Sequence, residues 1–191
     1  MEMISAEVFA QDLAENFSHR GWYHQWQTCI PAYIDWQMTR EQLWQCKQLE
    51  YRNTIQFTPT LKLKGQLDRL DSSADGLAVI DYKTGAVPSK KEAQSGEAIQ
   101  LPFYALLIQH SEQQPVAQAE YLEISVDMKS KVVMTQETLQ ELSQGLAEQI
   151  RTTFTALEQQ QVIPAWPHQK TCEYCPMETL CRKQMWENNT P

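Results

Sequence analysis

The sequence lacks the features that would place it in a membrane or outside the cell. No stretch approaches the roughly 18 to 20 uninterrupted apolar residues that a membrane-spanning helix needs. The first residues also lack the charged and apolar regions of a secretory signal. No internal repeat and no low-complexity tract is visible. We therefore expect a soluble, cytoplasmic globular protein that has no membrane partner.

Positive charge is scarce as well. The chain has 16 Lys and Arg against 24 Asp and Glu, which gives a formal net charge of −8 at pH 7. Nonspecific binding to nucleic acid depends on clustered cations that neutralise phosphates. The composition therefore argues against such binding, unless basic residues gather locally or a larger assembly holds the nucleic acid. Net charge bears on association and does not exclude any particular chemistry.

The 191 residues are 42% hydrophobic, which is typical of a globular chain, and we expect one domain over residues 1–191. Residues 5–51 are rich in Trp, Gln and Glu and predict two or three helices. From residue 60 onward apolar and polar residues alternate, which predicts a strand. A polar turn at residues 72–76 and an apolar run at residues 77–83 predict that this strand pairs with the next one as a hairpin.

The second half of the chain predicts further helices and strands. Residues 84–96 are polar and predict a mobile loop, and residues 97–109 have helical spacing of apolar side chains. Two strands near residues 117–126 and 131–134 and a long amphipathic helix from residue 139 should follow. We therefore expect an α/β fold, a small mixed central sheet flanked by helices. Its parts would be a helical N-terminal part (1–59), a catalytic sheet and helix (60–135), and a long helix with a C-terminal cysteine cluster tail (136–191).

Two aspartates and a lysine are the strongest candidates for catalysis. Asp68 and Asp81 lie on neighbouring strands of the predicted hairpin. Lys83 shares a strand face with Asp81 because alternate residues of a strand point the same way. Two carboxylates can hold Mg²⁺ or Mn²⁺, and a lysine can orient a nucleophile or neutralise a phosphate. From spacing alone, the alternative is that Asp68 and Asp71 solvate a turn while Lys83 pairs with Asp81.

Three ordered motifs resemble those of a known family. They are GQLDRLD at residues 65–71, VIDYKTG at residues 79–85 and QLPFY at residues 100–104. Together they resemble the PD-(D/E)XK nuclease superfamily, in its RecB-type branch, and most closely the C-terminal nuclease domain of AddB-like DNA repair proteins. The resemblance covers residues 44–182 and implies a restriction-endonuclease-like core.

The resemblance also implies roles for individual residues. Asp68, Asp81 and the backbone carbonyl of Tyr82 would bind the metal, and Lys83 would be the catalytic lysine. Gln100 and Tyr104, four apart on a helix, would lie beside the metal and help hold the DNA strand; without the motifs they would be an ordinary helix face. Further metal ligands are expected upstream, where Glu50 matches the acidic position and His24, or His19, lies near the expected histidine.

A cluster of cysteines marks the C-terminal tail. Cys172, Cys175 and Cys181 supply three thiolates, one short of the usual four for zinc or an iron–sulfur cluster. The same spacing resembles AddB-like and CRISPR adaptation exonucleases, where these thiolates and an N-terminal cysteine hold a [4Fe–4S] cluster. Cys29 or Cys46 would be the fourth ligand, unless it lies outside this chain. The alternatives are zinc, with His168 as a ligand, or a Cys172–Cys175 disulfide.

The leading functional interpretation is a metal-dependent DNA nuclease, an exonuclease that processes DNA ends in repair or recombination. DNA and a helicase subunit, or a helicase-like region of the same polypeptide, would be its partners. An inactivated nuclease fold that binds DNA or a helicase, and a metal-cluster scaffold without a DNA role, remain alternatives. We expect DNA contacts from five cations: Lys62, Lys64, Arg69, Lys90 and Lys91. Lys62 and Lys64 should share the strand face of Asp68, and Arg69 should point to the opposite face.

Overall fold

The computed structural model describes residues 1–16, 19–112, 114–161 and 175–181. Their contacts divide the chain into two compact units, Met1–Ala147 and Glu148–Pro191. The helices are α1 (Glu2–Glu15), α2 (His19–Arg40), α3 (Lys90–Gln94), α4 (Gln100–Ser111), α5 (Gln136–Glu158) and a last short one at Glu178–Cys181. The strands are β1 (Gln45–Gln56), β2 (Lys62–Ser73), β3 (Gly76–Lys83), β4 (Val116–Glu123) and β5 (Lys129–Thr135).

The five strands form one mixed sheet in the order β1-β2-β3-β4-β5. All neighbours pair antiparallel except β3 and β4, which are parallel and connected through α3 and α4. A parallel pair needs a crossover of this kind because a tight turn can join only antiparallel strands. The predicted α/β fold with a small mixed sheet flanked by helices is therefore confirmed, and so is the β2–β3 hairpin.

The helix α4 packs on one face of the sheet and builds the main core there. Its buried Leu101, Ala105 and Ile108 join one cluster with Leu70 of β2 and Val79 of β3. The fit is close enough that a Cβ atom added at Gly65 would lie 2.7 Å from the Leu107 side chain. This packing holds the N-terminal end of α4 against the C-terminal half of β3.

The helix α2 lies on the other face of the sheet. Tyr33 and Trp36 of α2 pack on a cluster that includes the fully buried Ile80 and Leu122. A buried ionic network lies beside this cluster, which is unusual because burying charge is unfavourable unless the charges are paired. We call it the α2-side network, and its charged members are Arg40, Arg69, Asp71 and Glu120.

Two elements differ from the sequence expectation. Residues 45–51 belong to the strand β1 and not to a helix, so the N-terminal part (1–59) is not wholly helical. β1 is an edge strand whose side chains are mostly exposed, and its polar residues conceal the short alternation of Tyr51, Asn53 and Ile55. The predicted mobile loop contains α3, which begins with a capping box formed by Ser89 and Glu92.

The remaining elements agree with the expectation apart from their ends. α4 begins at Gln100, a few residues later than expected, and Ile99 at its N-cap is 52% exposed. Among the described residues, no helix combines the length and the apolar character that a membrane span requires. The division into one domain over residues 1–191 stays a prediction.

Gly76, where β3 begins, provides a test of the hairpin geometry. It has a φ of +134°, and an added Cβ would lie 2.5 Å from the Pro115 carbonyl oxygen. We expect Gly76→Ala to lower the free energy of unfolding by about 2 kcal/mol or more. Gly145→Ala is the control, because that site in α5 is open and alanine should raise the stability by about 1 kcal/mol. Urea unfolding measures both, and a Gly76→Ala protein of wild-type stability would contradict the hairpin geometry.

Candidate active site at the fork between β2 and β3

The candidate site lies where the two strands of the central hairpin separate. β2 and β3 pair from Ser73 and Gly76 as far as Arg69 and Ile80, and no further. Asp68 and Asp81 would form the next pair, so the two carboxylates occupy facing positions at the opening, which we call the fork. Asp68 Oδ2 accepts a hydrogen bond of 2.8 Å from the backbone amide of Tyr82. This hydrogen bond satisfies the Tyr82 amide, which the pairing of β2 with β3 leaves without a partner.

Asp81, Lys83 and Gln100 form a closed set of polar contacts. Lys83 Nζ lies 2.6 Å from Asp81 Oδ2 and donates to Gln100 Oε1 at 2.8 Å. The Gln100 amide nitrogen in turn donates to Asp81 Oδ1 at 2.6 Å and to the Tyr104 hydroxyl at 3.1 Å. Asp81 and Lys83 share one face of β3, and Gln100 and Tyr104 share one face of α4. The packing of α4 on the sheet therefore brings together five residues predicted from the sequence, including Asp68.

Tyr121 is a further residue of the site that the sequence did not reveal. It is the register partner of Asp81 on the neighbouring parallel strand β4 and is fully buried. The Lys83 ammonium lies 5.3 Å from the centre of its ring, within the range of a cation–π interaction. No motif marks this tyrosine, because its position follows only from the pairing of β3 with β4.

Burial and like charge make the ionised form of Asp81 costly. Burial raises the pKa of Asp81 above its ordinary value of 3.8, Lys83 opposes this effect, and the nearby charge of Asp68 adds to it. Burial also raises the pKa of Tyr104, and it raises the pKa of Tyr121 to about 12. Both tyrosines are therefore neutral hydroxyl groups at physiological pH. A cation bound at the fork would therefore stabilise the ionised form of Asp81.

The donor atoms at the fork fit a hard divalent cation. Asp81 Oδ2 is buried and, among the described residues, accepts no hydrogen bond beyond its ion pair with Lys83. Asp68 provides a second carboxylate at the facing position. Mg²⁺ prefers such oxygen ligands and commonly binds through one or two carboxylates, with water molecules and substrate phosphates as further ligands.

The structure does not bring the other predicted metal ligands to the fork. Glu50 is exposed and accepts a hydrogen bond from the Gln66 side chain. His24 is exposed on α2, and His19 stacks on Trp22 with ring centres 4.8 Å apart. Within residues 1–16, 19–112, 114–161 and 175–181, no three His, Cys, Asp or Glu side chains are grouped as a metal site.

The predicted DNA-contacting cations fall into two groups. The lysines at positions 62, 64, 90 and 91 are exposed. Arg69 does point to the opposite face, but it is 2% exposed and paired with Asp71, so DNA cannot reach it.

The prediction that Lys62 and Lys64 share the strand face of Asp68 is wrong. Leu67 and Leu70 both enter the core under α4 although they are three residues apart, so the alternation of β2 is interrupted at the fork.

The cysteines remain free where the structure describes them. Cys29 is buried on α2, Cys46 is exposed on β1, and Cys175 and Cys181 are free in the second unit. Cys172 and His168 lie outside the described residues. The predicted cluster and its fourth ligand therefore stay predictions.

Comparison with protein families identifies the superfamily of the chain. The profile of the PD-(D/E)XK nuclease superfamily matches residues 1–182. The match covers nearly the whole chain, and the chain belongs to the PD-(D/E)XK nuclease superfamily. Nucleases of this superfamily typically use divalent metals such as Mg²⁺. A search of curated proteins found no significant match.

The raised pKa of Asp81 makes stability depend on pH in a defined direction. The folded state binds this proton more tightly than the unfolded state, so the contribution of Asp81 is greatest below pH 3.8. It is lost as the pH rises through the raised pKa. We expect the unfolding free energy of the wild type to fall relative to that of Asp81→Asn from pH 3.8 towards neutrality, measured in urea with a metal chelator.

Asp127 supplies a control with the opposite sign. Its hydrogen bond with Lys129 lowers the pKa of Asp127, so the wild type should gain stability over Asp127→Asn as the pH rises. A constant difference between the wild type and Asp81→Asn across this range would show that Asp81 is not perturbed.

Proposed function

We propose that the chain is a metal-dependent DNA nuclease that hydrolyses phosphodiester bonds at the fork. The observation that carries this proposal is the facing pair Asp68 and Asp81, with Lys83 and Gln100 in direct contact with Asp81. The superfamily match supports a nuclease, and a nuclease fold implies DNA as the substrate. The two carboxylates can hold a metal ion and the ammonium group can stabilise charge on the phosphate, and phosphodiester hydrolysis makes use of both roles.

Each side chain at the fork has a chemical task in this proposal. Asp68, Asp81 and the Tyr82 carbonyl would hold Mg²⁺ or Mn²⁺, which when bound lowers the pKa of water and stabilises charge on the phosphate. Lys83, a quarter exposed, has three N–H donors that can orient the attacking water or bind a phosphate oxygen. The water gives up a proton to solvent as its oxygen bonds to phosphorus. The bond to the leaving sugar oxygen breaks, and that oxygen takes up a proton from solvent.

Gln100 and Tyr104 would position these groups and the DNA strand. The Gln100 side chain already accepts from Lys83 and donates to Asp81, so it fixes both groups relative to each other. The Tyr104 hydroxyl is half-buried and bonded to Gln100. This arrangement supports a role in alignment of the substrate, because a rigid site needs less reorganisation during the reaction.

The finer classification rests on the order of the motifs. We propose a RecB-type, AddB-like exonuclease that processes DNA ends in repair or recombination. The exposed Lys62, Lys64, Lys90 and Lys91 would contact phosphates. Few contacts give weak binding, and the net charge of −8 opposes it further. A helicase subunit, or a helicase-like region of the same polypeptide, would therefore provide most of the affinity for DNA.

A nuclease-fold module that binds DNA or a helicase without cutting is the second candidate. The observation that favours it is the contact of Lys83 with Asp81 Oδ2, which occupies an atom that the cation needs. The absence of a third acidic or histidine ligand at the fork, within the described ranges, points the same way. This candidate predicts DNA or helicase binding without cleavage.

We also propose that Cys172, Cys175 and Cys181 hold a [4Fe–4S] cluster, with Cys29 or Cys46 as the fourth ligand. Their spacing and the motif order support this assignment. Protein prepared without oxygen should be brown and contain iron and sulfide, and Cys175→Ser should abolish the colour. Comparing Cys29→Ser with Cys46→Ser identifies the fourth ligand, since only its loss should lower the iron content. Colourless protein with stoichiometric zinc would replace the cluster with a zinc site.

Cleavage of labelled linear DNA with added Mg²⁺ or Mn²⁺ tests the proposed nuclease. We expect Asp68→Asn and Lys83→Met each to lower the rate by about 100-fold or more while the protein stays folded. Asp75→Asn and Lys47→Met are matched controls, because Asp75 lies at the closed end of the hairpin and Lys47 pairs with Glu112. Both should cut at the wild-type rate.

Two outcomes of this assay would contradict the proposed function. Wild-type rates in Asp68→Asn or Lys83→Met would show that the fork is not the catalytic centre. A wild-type protein that binds DNA but never cuts it, with either metal, would favour the second candidate.

A further inference from the structure

Arg69 and Tyr82 directly follow Asp68 and Asp81 in the chain. Because alternate residues of a strand face opposite sides, they extend to the other side of the sheet, under α2. There the Arg69 Nη1 atom donates to the Tyr82 hydroxyl at 3.4 Å. This contact joins β2 and β3 by side chains at the point where their backbone pairing ends. We call this hydrogen bond between Arg69 and Tyr82 the brace, and it lies on the face of the sheet away from the carboxylates.

The brace is held rigidly by its surroundings. Arg69 donates from Nε to Asp71 at 2.5 Å and from Nη1 to Gln37 at 2.6 Å. The Trp36 ring covers the guanidinium at 5.4 Å. Arg69 is 2% exposed, so these contacts exchange little with water. A planar, multiply bonded guanidinium holds its partners in a defined geometry that a flexible side chain would not.

We propose that Arg69 is a positioning residue that sets the separation of Asp68 and Asp81, and with it the affinity of the fork for a divalent cation. This inference rests on the proposed function. Arg69 reaches neither DNA nor the metal, and it acts through the backbone of the residues on either side of the fork. Residues that orient metal ligands from behind commonly change metal affinity by about 10- to 100-fold when they are replaced.

Arg40 offers an internal control within the same network. It also pairs with Asp71, at 2.5 Å, and its side chain is 7% exposed, against 2% for Arg69. Its other charged partner is Glu120, and it lies over Trp36 and Trp44. Arg40 belongs to α2 and is therefore not joined to either carboxylate of the fork through the backbone of a strand. Loss of Arg40 should disturb the network and the stability but not the spacing of the fork.

The experiment compares Mn²⁺ affinity, by electron paramagnetic resonance, with the thermal midpoint in Arg69→Met, Arg40→Met and Tyr82→Phe. Binding is measured at a temperature where circular dichroism shows each protein folded. We expect Arg69→Met to weaken Mn²⁺ binding about 10-fold or more. Tyr82→Phe should weaken it about threefold, because it removes the long hydrogen bond from Arg69 and leaves the Arg69 contacts with Asp71 and Gln37 in place. Arg40→Met should lower the thermal midpoint and leave the affinity unchanged.

The outcomes separate this inference from the proposed function. If the wild type binds Mn²⁺ and Arg69→Met binds it equally well, the positioning role is overturned and the metal site stands. Equal weakening in Arg69→Met and Arg40→Met would also overturn it, since a merely structural role predicts that result. If Arg69→Met does not fold, Tyr82→Phe decides, and unchanged affinity there overturns the inference. A wild type that binds no Mn²⁺ overturns the metal site and the positioning role together.

Discussion

The site depends on the separation of two strands that begin as a hairpin. β2 leaves β3 after Arg69 and Ile80 and continues beside β1, while β3 continues beside β4. The fork leaves Asp68 and Asp81 facing each other in a partly buried space, where burial raises the pKa of Asp81 and the like charge of Asp68 adds to the effect. Lys83 and Gln100 offset part of this cost. A divalent cation would offset more of it, which is why this arrangement suits metal-dependent chemistry.

Residues 68–71 of β2 contribute side chains to both faces of the sheet. Asp68 faces the fork, Leu70 enters the core under α4, and Arg69 and Asp71 enter the α2-side network. That network contains two arginines and two carboxylates, so its charges balance and its burial is tolerable. Arg69 and Asp71 therefore attach α2 to the sheet directly behind the fork. A motif that resembles a catalytic signature is thus also a structural one.

The sequence predicted the elements that depend on local pattern and missed those that depend on distant pairing. Alternating residues and a turn were enough for the β2–β3 hairpin, and helical spacing was enough to put Gln100 and Tyr104 on one face of a helix. Only the resemblance of the ordered motifs predicted that this face lies beside Asp81. β1 was missed because an edge strand buries few side chains and its polar residues resemble those of a helix. Tyr121 and the burial of Arg69 depend on β4 and α2, far along the chain. Contacts between distant parts of the chain cannot be predicted from local sequence patterns.

The most direct test of a shared cation site is anomalous X-ray scattering from crystals of the protein grown with Mn²⁺. The predicted result is one manganese peak within about 2.2 Å of carboxylate oxygens from both Asp68 and Asp81. Lys83 should then have left Asp81 Oδ2, which it contacts at 2.6 Å in this structure. A peak bound to only one of the two aspartates, or a fork without manganese whose Lys83–Asp81 ion pair is unchanged, would contradict the shared site.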